Sequence, residues 1–428
     1  MSGGFAGLLA GIALPKVARV ERALETRRLD DAQLAASLDA QLAASPAWAA
    51  RVRPGARIAI AVGSRAIGGL VPAVRTVAAR VRQAGGEPFI VPAMGSHGGA
   101  TGPGQRAVLA HLGVTEDAVG APVVSSMQVE RIGATPDGRP VFVDAAAWGA
   151  DGIVAVNRVK RHTSFRGRYE SGLMKMLAIG LGKQEGARAC HRSGFANMAA
   201  SVEAVGGAVL ATGKVVCGVA LVDGARGDAA MVRVVDADDI PEVEPQLLQQ
   251  ANALCPELPW GSLDVLVLGC IGKEISGTGM DTNVVGRVPG HPQAGPGITR
   301  IGVLDLSDAS LGNANGVGRA DCISARLRSK MDLEQLYRNA ITSTALESAR
   351  IPLVAPDDRA VFQACIAGAG LLDPAAVRLA VVQHTKNLQV LYATQNLVGE
   401  LSGMPGIRVG EPIELPFDAA GRLQLDFA

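Results

Sequence analysis

The sequence predicts an α/β protein made of two α/β domains with mostly parallel sheets. Short apolar runs rich in valine, isoleucine and leucine alternate with segments of helical periodicity, the pattern of βαβ units on a parallel sheet. The chain has 428 residues, enough to bury two sizeable cores. We therefore expect an N-terminal domain at residues 1–258 and a C-terminal domain at 259–411. The tail 412–428 is expected to return to the N-terminal domain, since chain termini often lie close together.

The N-terminal half begins with an irregular segment plus helix over residues 1–55, and regular alternation follows. Two helices are predicted from their apolar periodicity, at Leu70–Ala84 and Gly104–Leu112. An Asp137-Gly138 pair is typical of a hairpin turn. The predicted strands are Arg57–Gly63, Glu87–Gly95, Pro140–Asp144, Asp151–Val159 and Val215–Val222.

The second half repeats the alternation after a proline-bounded linker, Pro256–Pro259. A glycine-rich loop, Gly272–Gly279, follows its first strand but lacks the spacing of a nucleotide-binding P-loop. Leu333–Ser348 is predicted as one amphipathic helix, and the tail has alternating strand character. The predicted strands are Leu263–Cys270, Ile298–Leu306 and Val377–Gln383.

Composition excludes several classes of protein. Lysine and arginine total 41 against 40 acidic residues, which argues against nucleic acid or an anionic membrane as the main partner. No apolar run reaches the roughly 20 residues that a membrane-spanning helix needs. The six cysteines are scattered without a CxxC pair, as expected for reduced thiols in a cytoplasmic protein.

Unusual polar residues follow three of the predicted strands. Ser64-Arg65 comes after the first, His97 lies among glycines after the second, and His162 follows the third within a basic loop. Ligands of parallel sheets bind at the carboxyl ends of the strands, so these residues are candidates for one site. The alternative for each histidine is a loop residue that bonds only to backbone or solvent. Ser64 and Arg65 suit an anionic group such as phosphate or carboxylate.

Lys175 stands in the apolar setting Gly-Leu-Met-Lys-Met-Leu-Ala-Ile-Gly. Burial lowers the pKa of a lysine and makes its amine a nucleophile or an attachment point. The alternative is a lysine whose stem covers apolar surface while its ammonium reaches water. His191 lies sixteen residues after Lys175. Its imidazole suits either a metal ligand or the last turn of a helix.

Taken together, these residues resemble the lactate racemase family of nickel-dependent 2-hydroxyacid racemases and epimerases. The resemblance rests on Gly95-Ser96-His97, His162, Lys175 and His191 in that order. It extends to Ser64-Arg65 and, in the second half, to Asp281-Thr282-Asn283, so it spans nearly the whole chain and its two-domain layout.

The resemblance implies a specific assignment of roles. Lys175 would carry a nickel-pincer nucleotide through a thioamide, and His191 would complete the coordination of nickel. His97 and His162 would serve as acid and base while the cofactor takes and returns the hydride at C2 of a 2-hydroxyacid. Arg65 would bind either the substrate carboxylate or the cofactor phosphate. The site would lie in the interdomain cleft, and cofactor-synthesis enzymes would be partners.

The departures from the lactate-specific pattern concern substrate contacts more than the metal site. Gly98-Gly99 stands where those enzymes carry Arg-Pro, and Val62-Gly63 replaces an expected acidic residue. The longer loop after His162 adds Arg166, and Asp281 and Asn283 would approach the substrate from the second domain. We expect a larger or more polar 2-hydroxyacid than lactate, such as a sugar acid.

Two other functions remain open at this stage. A metal-assisted hydrolase or lyase would use His97, His162 and His191 as ligands of zinc or iron and would give Lys175 no special role. A binding protein would hold a nucleotide or hydroxyacid without turnover, and mutation of His97 would then leave its role intact.

Overall fold

A computed structural model describes residues 4–24, 27–65, 67–192, 194–225, 227–291 and 293–428. The chain divides into two compact units. We call residues 25–255 the central unit, and the two terminal segments, up to residue 24 and from 256 to 428, the terminal unit. Both units are α/β, with sheets whose neighbouring strands are mostly parallel, so the predicted fold class is confirmed.

Strands are numbered in chain order. They are β1 Val17–Arg22, β2 Arg57–Val62, β3 Glu87–Pro92, β4 Val129–Ala134, β5 Pro140–Asp144, β6 Gly152–Arg158, β7 Val215–Asp223, β8 Ala229–Asp236, β9 Ser262–Leu268, β10 Gly297–Val303, β11 Cys322–Ser324, β12 Leu353–Ala355, β13 Leu379–His384, β14 Asn387–Ala393 and β15 Ile407–Ile413.

Helices are numbered in the same way. They are α1 Phe5–Leu9, α2 Asp31–Ala44, α3 Pro46–Arg51, α4 Leu70–Gln83, α5 Gly102–His111, α6 Glu116–Val119, α7 Ala145–Trp148, α8 Leu173–Lys175, α9 Lys183–His191, α10 Met198–Leu210, α11 Ile240–Leu254, α12 Ala325–Lys330, α13 Leu333–Thr342, α14 Asp358–Gly368 and α15 Gln395–Glu400.

The sheet of the central unit has the order β3-β2-β6-β7-β8, and all its pairs are parallel except β7 with β8. Its strands are buried almost throughout, because apolar side chains on both faces pack against helices. A separate hairpin joins β4 and β5 across the predicted Asp137-Gly138 turn. Strands β2, β3 and β6 therefore end at the same edge of the sheet, where the polar loops of the site begin.

The terminal unit has an eight-stranded sheet of order β12-β11-β10-β9-β13-β14-β1-β15. The pairs from β12 to β13 are parallel, and the pairs from β13 to β15 are antiparallel. Here the structure differs from the predicted boundary at residue 258, because β1 lies in this unit. Its backbone pairs with β14 on one side and β15 on the other, and Val17 and Val20 are buried.

The tail 412–428 also lies in the terminal unit rather than the central one. Phe417 packs edge-on against Phe362 of α14, with 5.9 Å between ring centroids, and Phe427 packs in the same way on Tyr392 of β14, at 5.4 Å. The tail and the N-terminal segment of the chain therefore belong to the same unit, the terminal one, and not to a separate N-terminal domain. The other boundary, at Cys255, adjoins the predicted linker.

The helix predicted over Leu333–Ser348 ends early. The structure has α13 to Thr342 and then a 3₁₀ turn at Leu346–Ala349. Thr344 between them has a φ of 56°, in the left-handed region, which stops the α-helical hydrogen-bond pattern. Further 3₁₀ turns lie at Gly98–Ala100, Phe195–Asn197, Ala237–Asp239, Asp308–Ser310, Val317–Arg319 and Pro374–Ala376.

The stretch that carries Lys175 is helical but irregular. Helix α8 runs into a π-helical turn at Met176–Gly180, and α9 follows. Gly180 lets this turn lie directly against the end of β3, since a Cβ there would come within 2.6 Å of the Ala93 carbonyl oxygen. The Gly95 N–H also donates to the Gly180 carbonyl, at 3.2 Å. The loop after β3 is thus fixed against the lysine segment, and π-turns of this kind are frequent at functional sites.

Within the described ranges, no helix combines the length and hydropathy needed to cross a bilayer. All six cysteines are free thiols. Burial raises the pKa of Cys190, one residue before His191, to about 11, so this thiol is protonated and unreactive at neutral pH.

Candidate functional site

The site is built on the shared edge where β2, β3 and β6 end. The loop after β2 presents Ser64, and the loop after β3 presents His97. The Ser64 hydroxyl is hydrogen-bonded to Nδ1 of His97, so the two adjacent strand ends are joined through their side chains. His97 is exposed, which leaves its imidazole accessible to a ligand.

The loop that carries His97 is held by α5. Gln105 is fully buried and donates to the Gly95 carbonyl at 2.8 Å and to the His97 carbonyl at 3.3 Å. Gly98, with a φ of 64°, packs backbone to backbone on α5, where a Cβ would lie 2.5 Å from the Gly104 carbonyl carbon. Gly98 is therefore explained by packing. A Cβ on Gly99 would meet nothing within 4 Å. Of the two glycines that stand in place of Arg-Pro, only Gly99 therefore leaves open space.

The loop after β6 is closed at its base. Lys160 and Ser171 exchange two backbone hydrogen bonds, of 2.9 and 3.1 Å. Inside the loop, the buried carboxylate of Glu170 accepts from the His162 N–H at 2.6 Å. Arg166 donates to the His162 carbonyl at 2.6 Å. These contacts fix the backbone of His162, so that its ring direction is set by the loop itself.

Lys175 meets His162 in this arrangement. Its Nζ lies 2.8 Å from Nε2 of His162. Burial and, to a smaller extent, the positive charge of Arg65 lower the pKa of Lys175 to about 8. Burial also lowers the pKa of His162 well below its usual value, and the charge of Lys175 adds to this effect. Both side chains are therefore biased toward their neutral forms, as a nucleophilic amine and a hydrogen-bonding imidazole require.

His191 is the last residue of α9 and is half-buried. Burial lowers its pKa, and the charge of Lys175 lowers it further, which places the two side chains within electrostatic reach of each other. A neutral imidazole is the form that binds a metal ion. In the described part of the chain, no group of three or more His, Cys, Asp or Glu side chains is arranged to hold a metal ion.

The site carries more cationic than anionic side chains. Of the nearby acidic groups, Asp223 is paired with Arg158 at 2.5 Å. Glu170 lies 3.5 Å from Arg166. Arg65, which acts electrostatically on Lys175, is exposed at the end of β2. This balance favours an anionic ligand at the carboxyl edge of the sheet.

Three predicted substrate contacts have hydrogen-bond partners of their own. Asp281 and Asn283 belong to the terminal unit, where the Asn283 amide donates to the Asp281 carboxylate at 2.7 Å and the Asp281 N–H donates to Thr385 at 2.9 Å. Arg166 supports the backbone of the His162 loop. A substrate role for these residues, and a site between the domains, stay predictions.

Sequence reasoning missed a buried polar network beneath the site. Lys183 is fully buried, with a φ of 51°, and its ammonium lies 3.1 Å from the Asp144 carboxylate. It also donates to Gln105 at 3.0 Å and to the Pro92 carbonyl. The signal that singled out Lys175 is weaker at Lys183, because glycine and apolar residues precede Lys183 but Gln184 and Glu185 follow it. Gln105, with no such signal, links this network to the His97 loop.

Glu244 on α11 is a second buried group that the sequence did not indicate. It is 1% exposed, and its carboxylate accepts from the Met174 N–H at 2.8 Å, at the start of the helical segment that carries Lys175. Burial raises the pKa of Glu244 to about 7, although the backbone donors of Met174 and Leu173 oppose the shift. Glu244 therefore holds the segment that carries Lys175, but its buried carboxylate lowers the stability of the fold above neutral pH, where it is charged.

This cost predicts a pH dependence of stability. Because the pKa of Glu244 is raised on folding, the native state binds the extra proton, and stability falls as pH rises from about 4.5 through about 7. Glu244→Gln is expected to remove this fall and to raise the free energy of unfolding at pH 8 by up to about 3 kcal/mol. Urea unfolding at pH 5 and pH 8 measures it.

Glu242→Gln, on the same helix, is the matched control, since Glu242 forms an exposed pair with Arg168. This control should leave the pH dependence within about 0.5 kcal/mol of the parent protein. Equal pH dependence in the parent protein and Glu244→Gln would contradict the assignment.

Comparisons with known proteins add a similar solved structure. No protein-family profile and no curated protein matches the sequence. The lactate racemase apoprotein from Thermoanaerobacterium thermosaccharolyticum is structurally similar, with a TM-score of 0.47 and 12% sequence identity, over 80% of this chain and 89% of that one. At this level of similarity the match assigns neither residues nor activity to this chain.

Proposed function

We propose that this protein is an isomerase that inverts the C2 centre of a 2-hydroxyacid, with a nickel-pincer nucleotide attached to Lys175. The observation that carries the proposal is the 2.8 Å contact between the Lys175 amine and His162, at the sheet edge that also presents the Ser64–His97 pair. The order and spacing of these residues in the sequence provide independent support.

The side chains fit such a group. Lys175, whose pKa of about 8 makes its neutral amine accessible, is the attachment point. His191, held toward its neutral form and within electrostatic reach of Lys175, is the protein ligand to nickel. A pincer cofactor supplies the remaining donors itself, so one imidazole suffices and no cluster of protein ligands is required. Arg65 supplies positive charge for the phosphate or for the substrate carboxylate.

Bound in this way, the cofactor would accept the C2 hydride and return it. The protein's own groups manage the proton of the hydroxyl. His97 is accessible after β3 and oriented by Ser64, and His162 follows β6, on the other side of β2 in the sheet, so each histidine can serve one orientation of the substrate. Where Arg65 holds the substrate carboxylate, it fixes the C2 hydrogen relative to the site.

The substrate we propose is larger or more polar than lactate, such as a sugar acid. Gly99 leaves open space beside His97, and the loop from Lys160 to Ser171 adds cationic and aromatic side chains near His162. A panel of 2-hydroxyacids of increasing size, assayed for loss of optical purity, tests this. Reaction of lactate alone would contradict it.

The hydrolase alternative is less well supported. It needs His97, His162 and His191 to converge on one metal ion, and no such group occurs among the residues that the structure describes. It also gives no reason for the half-buried Lys175 to face His162. A binding protein without turnover is not disfavoured by any contact in the site, so activity must be measured to separate it from the proposed enzyme.

The decisive experiment is attachment of the cofactor. The chain produced together with the cofactor-synthesis enzymes should gain mass equal to one nucleotide adduct and should contain nickel, as measured by intact-protein mass spectrometry and metal analysis. Lys175→Arg, which keeps the charge but removes the amine, should show neither. Lys386→Ala, at an exposed turn of the terminal unit, is the control and should load normally. Unmodified parent protein under these conditions would overturn the proposal.

A further inference from the structure

The contacts of His162 define which of its ring nitrogens carries the proton. The backbone N–H of Ser164 points at Nδ1 of His162, at 3.0 Å. A backbone N–H only donates, so Nδ1 must act as the acceptor and carry no proton. A neutral imidazole has a single N–H, which must then lie on Nε2.

The second contact follows from the first. Nε2 lies 2.8 Å from the Lys175 amine, and an Nε2–H donates to the lone pair of that nitrogen. Only a neutral amine has this lone pair. In the reverse arrangement an ammonium would donate to Nε2, and the imidazole proton would then lie on Nδ1. There the Nδ1–H and the Ser164 N–H would point at each other, two donors without an acceptor between them.

We propose that the Ser164 backbone N–H fixes His162 as its Nε2–H tautomer in the unloaded protein, and that His162 thereby holds Lys175 as a neutral, oriented amine, whose lone pair becomes free for attack when this hydrogen bond opens. Ser164 is a positioning residue in this scheme, and His162 gains a role in cofactor attachment before any role in turnover. The role in attachment rests on the proposed function, whereas the tautomer and the reactivity of Lys175 do not.

The surrounding structure supports this arrangement. The loop is closed by the Lys160–Ser171 backbone pair, Glu170 binds the His162 N–H, and the His162 ring stacks at a tilt on buried Phe165, with centroids 4.3 Å apart. The ring is therefore held from its backbone and from one face. Burial lowers the pKa of both partners, so neither has to become charged to satisfy the contact.

The tautomer is measurable directly. Nitrogen NMR of the unloaded protein with ¹⁵N-labelled histidine, at about pH 9.5, well above the pKa of about 8 of Lys175, should show His162 with its proton on Nε2. The signal is assigned by its loss in His162→Gln. Ser164→Ala keeps the backbone N–H and should preserve the tautomer, whereas Ser164→Pro removes that donor and should give a mixture. A dominant Nδ1–H form in the parent protein would overturn the proposal, even if Ser164→Pro failed to fold.

Reactivity tests the second half of the proposal. Trinitrobenzenesulfonate, an anionic amine reagent, reacts only with the neutral amine, so the pH of half-maximal labelling of Lys175 reports the pKa of this residue. We expect that pH to be about 8 in the parent protein and at least about one unit higher in His162→Ala, as quantified by peptide mass spectrometry. His111→Ala, at an exposed position at the end of α5, should label like the parent protein. Equal half-maximal pH values in His162→Ala and the parent protein would overturn the role of His162 in holding the amine neutral. Failure of cofactor loading, with these two results intact, would instead count against the proposed function alone.

Discussion

Replacing His97 with alanine is expected to stop turnover of the loaded protein while leaving cofactor attachment unchanged. His97 is exposed after the end of β3 and oriented by Ser64, whereas the amine of Lys175 lies against His162. Loss of a positioned acid or base typically lowers a rate by about 10²- to 10⁴-fold. The measurement is the rate at which a single enantiomer of a 2-hydroxyacid loses optical purity, normalised to the nickel content.

Two controls separate chemistry from folding. His111→Ala removes an exposed histidine at the end of α5 and should keep full activity. Ser64→Ala keeps the imidazole but removes its hydrogen-bond partner, so a smaller loss of about tenfold is expected. If His97→Ala retained the parent rate, His97 would not be the base, and the binding-protein alternative would have to be examined through substrate affinity.

Asp144→Asn is expected to destabilise the central unit by about 3 kcal/mol, because it leaves the fully buried ammonium of Lys183 without a counter-charge. Asparagine retains the oxygen that caps α7, since Asp144 accepts from the Ala147 N–H at 2.9 Å. The substitution therefore isolates the charge from the cap. Hydrogen exchange of the amides of β6 and β7, measured across a urea titration, reports the stability of this unit.

The matched control is Glu185→Gln, which breaks the exposed pair of Glu185 with Arg188 on the same helix as Lys183. Its cost should be within about 1 kcal/mol. The double variant Asp144→Asn with Lys183→Met should recover part of the lost stability, since neither member of the buried pair then carries a charge. Asp144→Asn with unchanged stability would show that Lys183 is neutral in the native state and needs no counter-charge.

Sequence patterns predicted strands that are buried on both faces, such as β2 within Arg57–Gly63, because such strands need continuous apolar runs, but they missed β4, β8, β11, β12 and β14. They did not place β1. Its run, Val17–Arg22, is a reasonable strand anywhere, and its membership of the terminal unit depends on pairing with β14 and β15 far along the chain. Similarly, the end of α13 depends on the left-handed residue Thr344, for which the periodicity gives no sign.

The sequence by itself determined the candidate residues Ser64, His97 and His162, because parallel strands bring their carboxyl ends, and the loops that follow, to one edge of a sheet. It singled out Lys175 by its apolar neighbours but did not show that Lys183, which Gln184 and Glu185 follow, is fully buried.

Only the tertiary structure showed that the two lysines have different surroundings and therefore different roles. The ammonium of Lys183 is enclosed by Asp144, Gln105 and a backbone carbonyl, all of which stabilise its charge. The amine of Lys175 instead faces an imidazole beside other cations, and that environment favours the neutral form. The same residue type thus becomes a structural cation at one position and a candidate nucleophile at the other, because the groups that surround each nitrogen come from distant parts of the chain.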